Sequence, residues 1–172
     1  MKQVESKQLN LQRRAVLYVA LAAMLAMLGG ITWYASLDNP QLELVDIQMG
    51  TVKFVNENTI EGKARLDVGF VIKNPGEKTF TISRIDYELF ANGTPIGKSQ
   101  YSTEDVAMPG RAAFYPNAQI ELPSPFTLTK TSENADTYDA ITSGVPVVYS
   151  AKGLVVVESA WSLVEKEFEI SQ

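Results

Sequence analysis

The sequence predicts an all-β antiparallel sandwich with one short helix, preceded by a single transmembrane α-helix. Three observations carry this. Residues 15–37 form one long uncharged apolar window. The remainder alternates apolar and polar side chains with a period of two. Turn signals separate the alternating runs at short intervals.

The window from Ala15 to Leu37 is bounded by Arg14 and Asp38. At 1.5 Å rise per residue, a helix of this length spans roughly 30 Å of hydrocarbon. Tyr18 lies near one end and Trp33 and Tyr34 near the other, as interfacial aromatics do. Lys2, Lys7, Arg13 and Arg14 precede the window against the single acid Glu5. Asp38, Glu43 and Asp46 follow it. This asymmetry predicts a cytoplasmic tail over 1–14, a membrane span over 15–37 and an extracytoplasmic domain over 38–172. A cleaved signal peptide is the weaker reading. Cuts after Ala35 or Ser36 would place Trp33 or Tyr34 where a small residue is needed. Ala22, Ala26 and Gly30 form a small-residue stripe that suits close approach of a second membrane helix.

The chain has no cysteine and no histidine. Disulfides, thiolate nucleophiles and Cys-ligated metals are thereby excluded. The usual general base near neutral pH is also missing. The first 36 residues hold four of the fifteen bases and one of the twenty acids, which leaves the other 136 with a net charge of −8. Such a surface argues against nucleic acid and anionic headgroups as partners. A domain of this size buries roughly two thirds of its unfolded surface.

The clearest strand carries Ala64, Leu66, Val68, Phe70 and Ile72 on one face. A second carries Phe80 and Ile82, then Ile85, Tyr87 and Leu89, with a phase slip at Ser83-Arg84 that predicts a bulge. Asn92-Gly93 follows as a hairpin signal, and Pro95 makes the return strand through Ile96 to Tyr101 an edge. Further strands are expected over Leu42–Val55, as one or as two around Gly50, and over Val106 and Met108 before a Pro109-Gly110 turn. Others are expected over Ala113–Leu122 and from Val145 through Val147, Tyr149 and Ala151 to Val157. The last places Val164, Phe168 and Ile170 inward with Lys166, and Glu165, Glu167 and Glu169 outward. A short helix capped by Thr131 or Ser132 buries Tyr138 and Ile141 and stops at Gly144.

The order of these features resembles the water stress and hypersensitive response (WHy) domain of the folded late-embryogenesis-abundant (LEA) proteins. The resemblance rests on Leu66–Ile72 running into Lys73-Asn74-Pro75. The strand to Leu89, the Asn92-Gly93 hairpin and the Pro109-Gly110 turn follow in order. So do the short helix, Val147-Val148-Tyr149 and Lys152-Gly153-Leu154. It covers about 42–170, with Gly76 where the family often has a second Asn. It implies a fibronectin-III/Ig-like sandwich with a non-catalytic, stress-protective or binding role.

Each candidate site has a plain alternative. Asn74 and Pro75 read first as a turn between strands. Glu104-Asp105 and Asp136 with Asp139 are too few carboxylates for Ca²⁺, which takes six to eight oxygens. The acidic stripe on the last strand reads as protection of a sheet edge. Asn92-Gly93-Thr94 is an N-glycosylation sequon on a hairpin tip. Trp161 beside an alternating strand reads as core. Asp86 and Glu88 share a face, as paired carboxylates would, with nothing to mark a cleft. No catalytic residue, metal or cofactor is expected. The expected partners are the lipid bilayer and other membrane protein subunits. The rival reading is an accessory subunit of a larger membrane complex, packing through its helix and sandwich.

Overall fold

A computed structural model describes residues 2–37, 39–103 and 112–172. Glu104-Asp105, the Val106 and Met108 pattern and the Pro109-Gly110 turn lie outside the described residues. The chain divides into two compact units, Met1–Leu37 and Asp38–Gln172.

The first unit is one helix, α1 (Lys2–Ser36), which begins well before the apolar window. Its most apolar stretch has a mean hydropathy of 2.1, enough in length and composition to cross a membrane. Every large apolar side chain from Val16 to Tyr34 is more than half exposed. A helix apolar on all sides is unstable in water without a covering of lipid or protein.

The second unit opens with α2 (Asn39–Leu42) and continues as β1 (Asp46–Asn58), β2 (Lys63–Lys73), β3 (Phe80–Ala91), β4 (Thr94–Ser102), β5 (Ala113–Phe114) and β6 (Gln119–Thr129). Then come α3 (Ala135–Thr142), β7 (Tyr149–Glu158) and β8 (Leu163–Ser171). All pairings are antiparallel. One sheet has the order β1-β2-β6, the other β4-β3-β7-β8, with β5 beside the start of β3.

The period-two reading locates the core. Ala64, Leu66, Val68, Phe70 and Ile72 of β2 are all buried. They pack with Ile85, Tyr87 and Leu89 of β3 and with Val155, Val157 and Phe168 of the second sheet. Phe70 meets Tyr87 edge-on at 4.8 Å and Phe168 at 6.1 Å, so one ring from the first sheet sits between two from the second. The slip at Ser83 is a bulge: Ile82 pairs with Val157 and Arg84 with Val156, leaving Ser83 over. Asn92 (φ 49°) and Gly93 (φ 80°) form the tight turn between β3 and β4, and β4 lies at a sheet edge.

Several expectations need correction. Residues 42–45 are not strand; the strand begins at Asp46. Leu42 ends α2, and it and Val45 are fully buried at the N-terminal end of the sandwich. β1 is one strand with a register shift between Met49 and Val52, around Gly50. There the Glu121 carboxylate reaches across Gly69 to accept the Thr51 N–H at 3.2 Å. Ala113–Leu122 is not one strand either. The chain turns at Asn117 (φ 64°) and changes sheets. β6 then continues through Pro123 and Pro125, which an edge strand tolerates because an imide nitrogen facing solvent has no bond to lose. Val145 is exposed and β7 begins only at Tyr149. The helix begins later than expected, after Asn134. That side chain accepts the Thr131 N–H and donates to the Thr129 carbonyl instead of Thr131 or Ser132 acting as cap. Tyr138 and Ile141 are buried and Gly144 (φ 74°) follows the helix, as expected. Lys166 points inward but closes the face rather than opening it. Its ammonium donates to the Glu43 and Val45 carbonyls at 2.9 and 2.5 Å. Trp161 is not core: it is 69% exposed.

Burial raises the Tyr87, Tyr101, Tyr138 and Tyr149 phenols above their usual pKa, with the Glu57 hydrogen bond adding to it at Tyr138. A phenol raised in the folded state keeps its proton where the unfolded chain has lost it. Its stabilising contribution is complete below about pH 10 and declines as pH rises past that value. The urea midpoint should therefore fall between pH 9 and pH 11, and less so in Tyr87→Phe. Equal pH dependence in both proteins would rule out Tyr87 as a contributor.

Candidate functional site

The structure separates the residues singled out in the sequence. Ala22, Ala26 and Gly30 lie at successive fourth positions of α1, all exposed on one helix face. A Cβ at Gly30 would meet nothing within 4 Å.

Asn74 and Pro75 sit at the N-terminal end of the sandwich, between β2 and β3. Asn74 is fully buried. Its amide donates to the Lys78 and Phe114 carbonyls, both at 2.8 Å, and its oxygen accepts the Gly76 N–H at 3.0 Å. Its backbone N–H donates to Ala118 O and its carbonyl accepts the Asn117 N–H. The β2–β3 turn and the β5–β6 turn are thus knotted through one residue, by its backbone and its side chain. Gln41 joins the same end, its side-chain oxygen accepting the Glu77 N–H at 3.1 Å. The sequence showed the turn; it did not show the forty-residue reach to Phe114.

Asn92 is exposed at the opposite end, on the hairpin tip. Its side-chain oxygen accepts the Val148 N–H at 2.9 Å, so it also ties the tip to the segment before β7.

Asp86 and Glu88 do share a face. They line an open trough of about 910 Å³ on the outer surface of the second sheet, with Lys98, Lys152, Glu167 and Glu169. The floor is tight at Gly153, where a Cβ would lie 2.0 Å from the Asp86 carbonyl oxygen. Register places Lys98, Glu88, Lys152 and Glu169 side by side across four strands, a row of alternating charge. Lys152 reaches Glu88 at 3.4 Å and lies 4.6 Å over the Phe90 ring. Arg84 holds Asp86 at 2.9 Å. Opposite charges directly across strands stabilise a solvated sheet face. Each of the two carboxylates is therefore engaged by a base rather than facing the other across a cleft. Glu165, Glu167 and Glu169 project from β8, an edge strand, where like charges disfavour pairing with another sheet. Asp139 pairs with Lys130, and no three acidic side chains converge on a metal site among the described residues.

Fold and surfaces together define a class: an apolar helix long enough to span a bilayer, followed by an antiparallel β-sandwich with ion-paired outer faces. No family model matches the chain, and no curated protein matches it. Among solved structures, it is similar to a protein from Archaeoglobus fulgidus at 12% identity and a TM-score of 0.41, covering 73% of this chain and 94% of that one. It is similar to a protein of Arabidopsis thaliana at 15% identity and a TM-score of 0.46, over 73% and 80% of the two chains. A protein described as late embryogenesis abundant (LEA) aligns at 13% identity and a TM-score of 0.44, over 91% of this chain and 87% of that one. Each is a distant likeness of fold.

Proposed function

We propose that the chain is a membrane-anchored, non-catalytic module of LEA/WHy type, its sandwich facing away from the cytoplasm in a stress-protective or binding role. The observation that carries the anchor is α1, whose apolar side chains are exposed all round. Four bases precede the apolar window and acids follow it, which favours the outward orientation of the sandwich. The two-sheet order, three strands against four with β5 appended, suits a fibronectin-III/Ig-like sandwich. The Asn74 turn supports the WHy reading, because Asn74, one of the residues that carry the resemblance, is a buried structural clasp.

Alkaline carbonate should leave the protein in the membrane fraction, and protease added to intact spheroplasts should digest the sandwich. Release by carbonate would remove the anchor. Protection in spheroplasts with digestion only after lysis would reverse the orientation.

The small-residue stripe favours a second reading, an accessory subunit of a larger membrane complex. Ala26→Leu would then reduce recovery of a co-purifying membrane protein after mild detergent extraction; unchanged recovery would remove that role from the stripe.

A further inference from the structure

The two most exposed aromatic side chains of the sandwich are Trp161 (69%) and Tyr115 (65%). Both occur where polar residues usually sit, in tight turns. Trp161 is at the tip of the β7–β8 hairpin. The Ser159 N–H donates to Ser162 O at 2.8 Å to close that turn, and Ser159 Oγ accepts the Trp161 and Ser162 N–H groups at 3.3 and 3.1 Å. The indole is thus presented from a fixed turn. Leu163, the next residue but one, is also exposed. Tyr115 begins the turn whose far side bonds to Asn74.

Both turns lie at one end of the sandwich, the end at which the chain arrives. Ser162 hydrogen-bonds Asn39 through its side chain, and Gln41 holds Glu77, three residues beyond Asn74. Asn39 follows the last residue of the apolar helix unit, Leu37, by two positions. Two residues reach at most about 7 Å. If α1 spans a bilayer, this end of the sandwich is covalently confined to the interfacial zone. Indole and phenol rings prefer that zone, where an apolar ring and a polar N–H or O–H are both accommodated.

We infer that the 159–162 hairpin, with Tyr115 beside the same end, is a second membrane contact that inserts Trp161 among the lipid headgroups and glycerols. This rests on the anchoring reading above. Because the domain is acidic, the contact is with the interfacial region itself and does not require anionic lipid.

The chain holds two tryptophans, Trp33 in α1 and Trp161 in the hairpin, so each can be read alone. The full chain is reconstituted in phosphatidylcholine vesicles with a headgroup spin-labelled lipid, as Trp33→Phe and separately as Trp161→Phe. In Trp33→Phe the remaining Trp161 should lose most of its emission to the spin label and be shielded from aqueous iodide. In Trp161→Phe the remaining Trp33 should also be quenched by lipid, which checks the anchor independently. Trp161 quenched by iodide but not by lipid, with Trp33 quenched by lipid, overturns the inference and leaves the anchor standing. Trp161 shielded from both overturns it in favour of contact with another protein or a second copy. Lipid quenching of neither indole overturns the anchor and the inference together.

Discussion

Replacing Phe70 with alanine is expected to destabilise the sandwich by about 3–5 kcal/mol. Phe70 is fully buried in β2, the central strand of the three-stranded sheet. Its ring meets Tyr87 at 4.8 Å and Phe168 at 6.1 Å, both from the other sheet. Truncation removes apolar burial and edge-to-face contacts and leaves a void that two packed sheets cannot close without shifting. For a domain near this size the thermal midpoint should fall by on the order of 10–20 °C, followed by near-ultraviolet circular dichroism. A loss well under 1 kcal/mol would mean that the sheets do not pack around this ring.

Asn74→Ala is expected to cost about 2–4 kcal/mol, although Asn74 is a turn residue and polar. The substitution removes the Asn74 bonds to the Lys78 and Phe114 carbonyls and to the Gly76 N–H. The Phe114 bond lies in the interior, where water is a poor substitute. Asn74→Asp should not rescue stability. A carboxylate can still accept the Gly76 N–H but cannot donate to either carbonyl, and burial penalises its charge. Urea unfolding of the two variants measures this. A cost near that of an exposed turn substitution, within about 0.5 kcal/mol, would show that the β2–β3 and β5–β6 turns hold together without the clasp.

Local signals explain what could be read in advance. Ala64 to Ile72 alternate on one face, and a strand half-buried on that side follows from its pleat. Asn92-Gly93 forms its turn because both residues tolerate positive φ, whatever the rest of the chain does. The slip at Ser83 was visible because one extra residue inverts the phase of a period-two pattern. By contrast, Leu42 looked like the start of a strand because it is apolar. Its place in a four-residue helix sealing one end of the core depends on where that end lies. The strand expected to end at Leu122 runs on through two prolines, which only its edge position makes harmless. Lys166 fell on the inward face, but its use depends on two carbonyls more than 120 residues away in sequence.

The same division holds for the candidate sites. Residues 15–37 by themselves determine a helix long and apolar enough to cross a membrane, since length and apolarity are properties of a contiguous segment. The sequence likewise determined an antiparallel all-β domain and the shared face of Asp86 and Glu88, because strand periodicity is local. Tertiary structure decided that those carboxylates are held by Arg84 and Lys152, that Asn74 is an interior clasp, and that Trp161 stands in the open at the end where the chain arrives. Each of these depends on which strands lie side by side and which turns share an end of the sandwich. Those contacts join residues distant in sequence, and no local pattern encodes them.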